Sequence, residues 1–182
     1  MKRLTLLIAT AALHGVALAA PSVTFQGAVS TQTCEVTINS ETNGIVLLPT
    51  VSVADFDGAG STAGQTPFTI TISDCVAPSA TNLNVINVFS GYNGNVTDAG
   101  NLANGATTNP AGDVGVQLTF HGDAWGGPIV LHSYPIRVRG LLVLPVGQTS
   151  ASHQMGARYI TEGGNPTAGA VTAVLEYSIT YQ

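Results

Sequence analysis

Two cysteines, ten carboxylates and the three histidines beyond residue 20 are the side chains from which this chain could build chemistry. Cys34 and Cys75 lie far apart in sequence, unlike the C-x-x-C spacing of a redox pair. His121, His132 and His153 show no H-x-x-x-H or other tight ligand spacing, so a metal site would need tertiary convergence. Asp55 and Asp57, just before Gly58, echo the start of a calcium loop. The later ligands and the closing glutamate are missing, which leaves a solvated turn. Asp113, Asp123 and Glu162 can be combined into several carboxylate pairs, and spacing singles out none. No G-x-S-x-G elbow is present. The expectation is a protein with no catalytic residues, no metal and no cofactor. Trp125, within Asp123-Ala124-Trp125-Gly126-Gly127, is open to two readings. It could stack on a sugar together with Tyr92, or it could cover one end of the fold.

The chain has 182 residues, enough for one domain with its own core. Hydrophobic residues make up 45% and charged residues only 8%, the balance being rich in Gly, Thr, Asn and Ser. That is the composition of turns and solvated strand faces, and no helical periodicity is sustained beyond residue 20. The first residues read differently. Met1-Lys2-Arg3, an apolar run from Leu4 to Ala12 and Ala17-Leu18-Ala19 form a secretory signal over residues 1–19. Cleavage after Ala20 would place Pro21 behind the scissile bond, so the cut is assigned after Ala19. An N-terminal membrane anchor is the alternative, with a run too short to span a bilayer comfortably.

Cleavage removes two of five cations and leaves Arg137, Arg139 and Arg158, so the formal charge becomes 3 − 10 = −7. Such a chain can neutralise few phosphates, and nucleic acid is excluded as a partner class. In a secreted chain one cysteine pair most simply forms one disulfide, with free buried thiols or a redox pair as the other readings.

Alternation and turn residues predict strands at 23–29, 33–38, 45–48, 68–73, 83–89, 115–120, 129–131, 136–144, 153–160 and 171–181. Long loops are expected at 55–66 and 92–113. The terminal stretch is distinctive. Leu175, Tyr177, Ile179 and Tyr181 alternate with Glu176, Ser178 and Thr180 up to Gln182, while Val174 is out of phase. Val23, Phe25, Gly27 and Val29 alternate in the same way near the other end. These strands and one disulfide suggest an all-β, immunoglobulin-like sandwich.

Several landmarks then follow one another in order: Val23-Thr24-Phe25-Gln26-Gly27-Ala28-Val29, Cys34-Glu35-Val36, Ser73-Asp74-Cys75, Val114-Gly115-Val116-Gln117-Leu118, Ala157-Arg158-Tyr159 and Tyr181-Gln182. Together they resemble the pilin subunits of bacterial chaperone–usher fimbriae, nearest the type 1 pilins, major or minor. The resemblance implies an incomplete immunoglobulin-like β-sandwich lacking its final strand. In that frame the terminal strand counts as the sixth after Cys34, and a donor strand from a chaperone or a neighbouring subunit completes the core.

The resemblance also divides the chain into a signal peptide (1–19), an N-terminal donor segment (20–32) and a pilin domain (33–182). Val23, Phe25, Gly27 and Val29 would be donated to a neighbour. Leu175, Tyr177, Ile179 and Tyr181 would line the acceptor groove, and the Gln182 carboxylate would meet the chaperone. The implied partners are a periplasmic pilus chaperone, an outer-membrane usher and other pilin subunits. The implied place is the periplasm and then the fimbrium on the cell surface. Alternatives are a minor or tip adaptor pilin with a receptor-binding loop, a self-contained secreted sandwich, and a 23–29 strand paired within its own domain.

Overall fold

The computed structural model describes residues 33–181. The predicted signal segment, the 23–29 strand and Gln182 lie outside the described residues. Among the described residues there are eight strands: β1 (Glu35–Ile38), β2 (Thr62–Ser73), β3 (Leu83–Gly91), β4 (Gly115–Thr119), β5 (Pro128–Ile129), β6 (Ile136–Leu144), β7 (Ala151–Ile160) and β8 (Leu175–Tyr181). They form a five-stranded sheet, ordered β1-β2-β7-β4-β5, and a three-stranded sheet, ordered β6-β3-β8. Every pairing between these strands is antiparallel. The result is an all-β sandwich.

Period-two alternation builds the core. In β2, Phe68, Ile70 and Ile72 are buried while Thr69, Thr71 and Ser73 are not. They pack with Val85 and Phe89 of β3, Leu118 of β4, Leu142 and Leu144 of β6 and Met155 of β7. β3 keeps this phase through Val85, Asn87 and Phe89, and only Ile86 is buried out of it. A bulge lies opposite Ile86. Val85 faces Leu142 but Asn87 faces Val138, so β6 carries extra residues there. Gly140 absorbs them at φ +79°, a conformation that suits glycine.

Several boundaries differ from the sequence expectation. β2 begins at Thr62, inside the stretch expected to be loop, because it runs on along β7 through a bulge between Ala63 and Thr66. β8 begins at Leu175 rather than at 171. Residues 45–48 form no strand. Among the described residues eight strands follow Cys34, one fewer than the nine expected there, because 45–48 forms none.

Candidate functional site: an open edge over the core

β8 pairs with β3 along one edge only, from Val85 opposite Tyr181 to Gly91 opposite Leu175. Among the described residues, no strand pairs with its other edge. Leu175, Tyr177, Ile179 and Tyr181 turn onto the core, and Glu176 and Ser178 turn away. Val171 and Ala173 continue the inward row, while Val174 is half-exposed on the outer side. This inward row stays only partly buried, whereas Val85 and Phe89 on the neighbouring strand are sealed. The core is therefore covered from below along β8 and open from above.

The 45–48 segment packs on the core and leads into Thr50, Val51 and Val53, which line one cavity together with Val171 ahead of β8, and this makes it the second rim. It keeps the alternation of a strand without a ladder partner: Val46 and Leu48 pack on the core, and Ile45 and Leu47 are 78% and 83% exposed. Both ends of the gap are marked. At one end the Cys34 N–H donates to the Tyr181 hydroxyl at 3.0 Å, beside the Cys34–Cys75 disulfide. At the other end the rims run into a cavity of about 390 Å³. Val51, Val53, Phe56, Val114, Tyr159 and Val171 supply its apolar lining.

One buried polar contact secures β8 to β3. The Tyr177 hydroxyl donates to Asn87 Oδ1 at 2.6 Å, with Asn87 fully buried and the Phe89 ring 5.3 Å away. Burial, and secondarily the neighbouring Tyr181, push the Tyr177 phenol well above its ordinary value. Its proton is held, as a donor to Asn87 requires.

The other candidates resolve into structure. Asp113 accepts from the backbone N–H groups of Asn165 and Gly163 and from the Thr161 hydroxyl, which hold its carboxyl below the usual range. Glu162 accepts from Thr97 and Asn101, and Asp123 from the Trp125 N–H. His121 and His153 meet with ring centroids 5.7 Å apart, a convergence that their spacing did not suggest. No group of three metal-ligating side chains occurs among the described residues. Trp125 does not cover the sandwich end, because it is 94% exposed. The Tyr92 backbone N–H donates to the Val174 carbonyl at 3.1 Å beside the three-stranded sheet, while Trp125 lies between β4 and β5.

An all-β sandwich with one open apolar edge is joined by a family match. The model for "fimbrial protein" matches residues 23–182. The chain belongs to the fimbrial protein family. It is 34% identical over 162 residues to the F17 fimbrial protein of Escherichia coli, covering 88% of this chain and 86% of that one. It is also 38% identical over 131 residues to the minor fimbrial subunit HifD of Haemophilus influenzae, covering 71% and 57%. Among solved structures, the fold is similar to that of an antigen and type I fimbria protein of Burkholderia pseudomallei. The TM-score is 0.54 at 23% identity, over 83% of this chain and all of that one. This fimbrial protein is therefore a structural, adhesion-related pilus subunit rather than an enzyme. Membership implies secretion to the surface and partners of the chaperone–usher pathway.

Proposed function

We propose that this fimbrial subunit is completed by a strand from another polypeptide, laid between β8 and the 45–48 rim. The observation that carries the reading is the unpaired outer edge of β8 above a row of half-buried apolar side chains. An open edge of this kind exposes backbone N–H and C=O groups together with apolar surface, which invites aggregation. Strand addition satisfies both at once.

In this reading residues 1–19 are the signal peptide, 20–32 the donor segment and 33–182 the pilin domain. The chain travels through the periplasm, where a chaperone lends the missing strand and grips β8 and the Gln182 carboxylate. At the usher, the donor segment of the next subunit takes its place. Val23, Phe25 and Val29 then bury their side chains, each worth roughly 1.5–3 kcal/mol before ordering entropy is subtracted. Gly27 crosses where the floor comes closest to the donor backbone. The segment 23–29 has the same seven-residue length as β8. The better-paired antiparallel arrangement brings Val29 toward the cavity end.

The test is self-complementation. A copy of residues 21–31 joined to the C-terminus by a flexible linker should turn an aggregating chain into a cooperatively unfolding monomer. Reversible unfolding of the unextended mature chain, with no gain from the extension, would refute the reading.

A further inference from the structure

The cavity at the end of the groove has an unusual wall. Its 163–172 side contains no strand, yet it is firmly tied to the equally irregular 104–113 segment. The backbone supplies part of the tie. Ala111 N–H donates to Ala170 C=O at 2.9 Å, Thr167 N–H to Gly112 C=O at 3.0 Å, and Gly105 N–H to Thr172 C=O at 2.7 Å.

Two side chains do the rest. The Asn104 amide donates to the carbonyls of Ala111 and Ala170 at 3.0 and 2.9 Å. Its oxygen accepts from the N–H groups of Ala106 and Thr172, both at 3.0 Å. All four of its hydrogen-bonding positions are used. At the far end of the wall, the Asp113 carboxylate gathers Gly163 N–H, Asn165 N–H and the Thr161 hydroxyl at 2.8–2.9 Å. Between these two anchors lie Pro166, Thr167, Ala168 and Gly169, which form that side of the cavity with Val171. None of the four makes a ladder bond within a sheet, so nothing regular holds them when the groove is empty.

We propose that Asn104 and Asp113 are positioning residues: they keep the cavity wall in place in the unfilled subunit and thereby set how fast a donor strand enters. This rests on the strand-donation reading above. A seated donor braces the wall itself by packing against Val171 and the row beyond it. The two side chains therefore matter most before the donor arrives and least after it.

The test uses the subunit held by its chaperone and a synthetic peptide of residues 21–31, with exchange followed by native mass spectrometry. Asp113→Asn keeps the shape but puts an amide where a carboxylate gathers N–H donors. Asn104→Leu keeps the volume and removes all four bonds. Each should slow peptide entry roughly tenfold, while peptide loss from the filled subunit stays at the wild-type rate. Thr167→Val removes only the hydroxyl that accepts from Gly112 N–H at 2.7 Å. It should give a smaller slowing, and it carries the test if the other two variants do not accumulate. Wild-type entry rates in the variants overturn the proposal. So does faster peptide loss that accounts for the whole change, which would make the two residues general stabilisers. A wild-type subunit that takes up no peptide overturns strand donation itself, and this proposal with it.

Discussion

Tyr177→Phe in the self-complemented chain isolates the contact that fixes the groove strand. The substitution removes one oxygen and leaves the ring packed at 5.3 Å from Phe89. What changes is Asn87, fully buried, whose Oδ1 loses its 2.6 Å donor. The Asn87 amide retains only a long bond to the Val85 carbonyl, at 3.4 Å. A buried acceptor left without a partner costs about 1–3 kcal/mol, against about 1 kcal/mol for an ordinary exposed hydrogen bond. For a chain of this size that lowers the melting temperature by roughly 3–10 °C. Asn87→Leu in the Tyr177→Phe background should recover part of the loss, because an apolar pair of similar shape leaves nothing unsatisfied.

The same contact has a pH signature. The phenol is raised above its ordinary value of 10.0 in the folded state, so the unfolded chain loses this proton first. Its contribution is complete below about pH 10 and declines as pH rises above that. Tyr177→Phe should therefore flatten the alkaline fall in stability. Calorimetry between neutral pH and pH 11 reads both effects. A variant melting within about 1 °C of wild type, or a cost unchanged in the Asn87→Leu background, refutes the reasoning.

Alkylation without reduction, followed by mass spectrometry, should leave Cys34 and Cys75 unmodified; reduction of this bond should cost roughly 4 kcal/mol in the chain-entropy estimate. Gly27→Leu should hinder polymerisation but spare the chaperone complex, whereas Tyr181→Ser, which removes the acceptor of the Cys34 N–H, should weaken chaperone capture; pull-down and polymerisation assays on both variants would show the reverse pattern if the two ends are assigned wrongly. Asp113→Asn should destabilise the chaperone-held, unfilled subunit at neutral pH, with the difference from wild type vanishing as pH falls through the lowered carboxyl range, because the wild-type carboxylate then protonates as well; a gap that persists in strong acid would mean that charge is not what Asp113 supplies.

The strands were legible wherever burial is one-sided. Ile136–Leu144 matches its expected limits, and β3 and β4 differ from theirs only at the C-terminal end, although β4 is buried at all five positions and shows no alternation. The same rule explains the failure at 45–48. Alternation there is real, since Val46 and Leu48 turn inward, but the backbone finds no neighbour to pair with. A periodicity signal reports which side of a chain meets the core and is silent on whether a ladder partner exists beside it. The groove follows the same logic. Leu175, Tyr177, Ile179 and Tyr181 were readable as an inward row, but the opposing rim, the cavity and Asn87 under Tyr177 were not, because each depends on contacts between segments far apart in sequence. Asn87 was hidden because it is a polar residue on a strand, although it keeps the inward phase of Val85 and Phe89. The 45–48 segment has the inward face of a strand and lacks a ladder neighbour, the place that a donated strand would fill in the function proposed above.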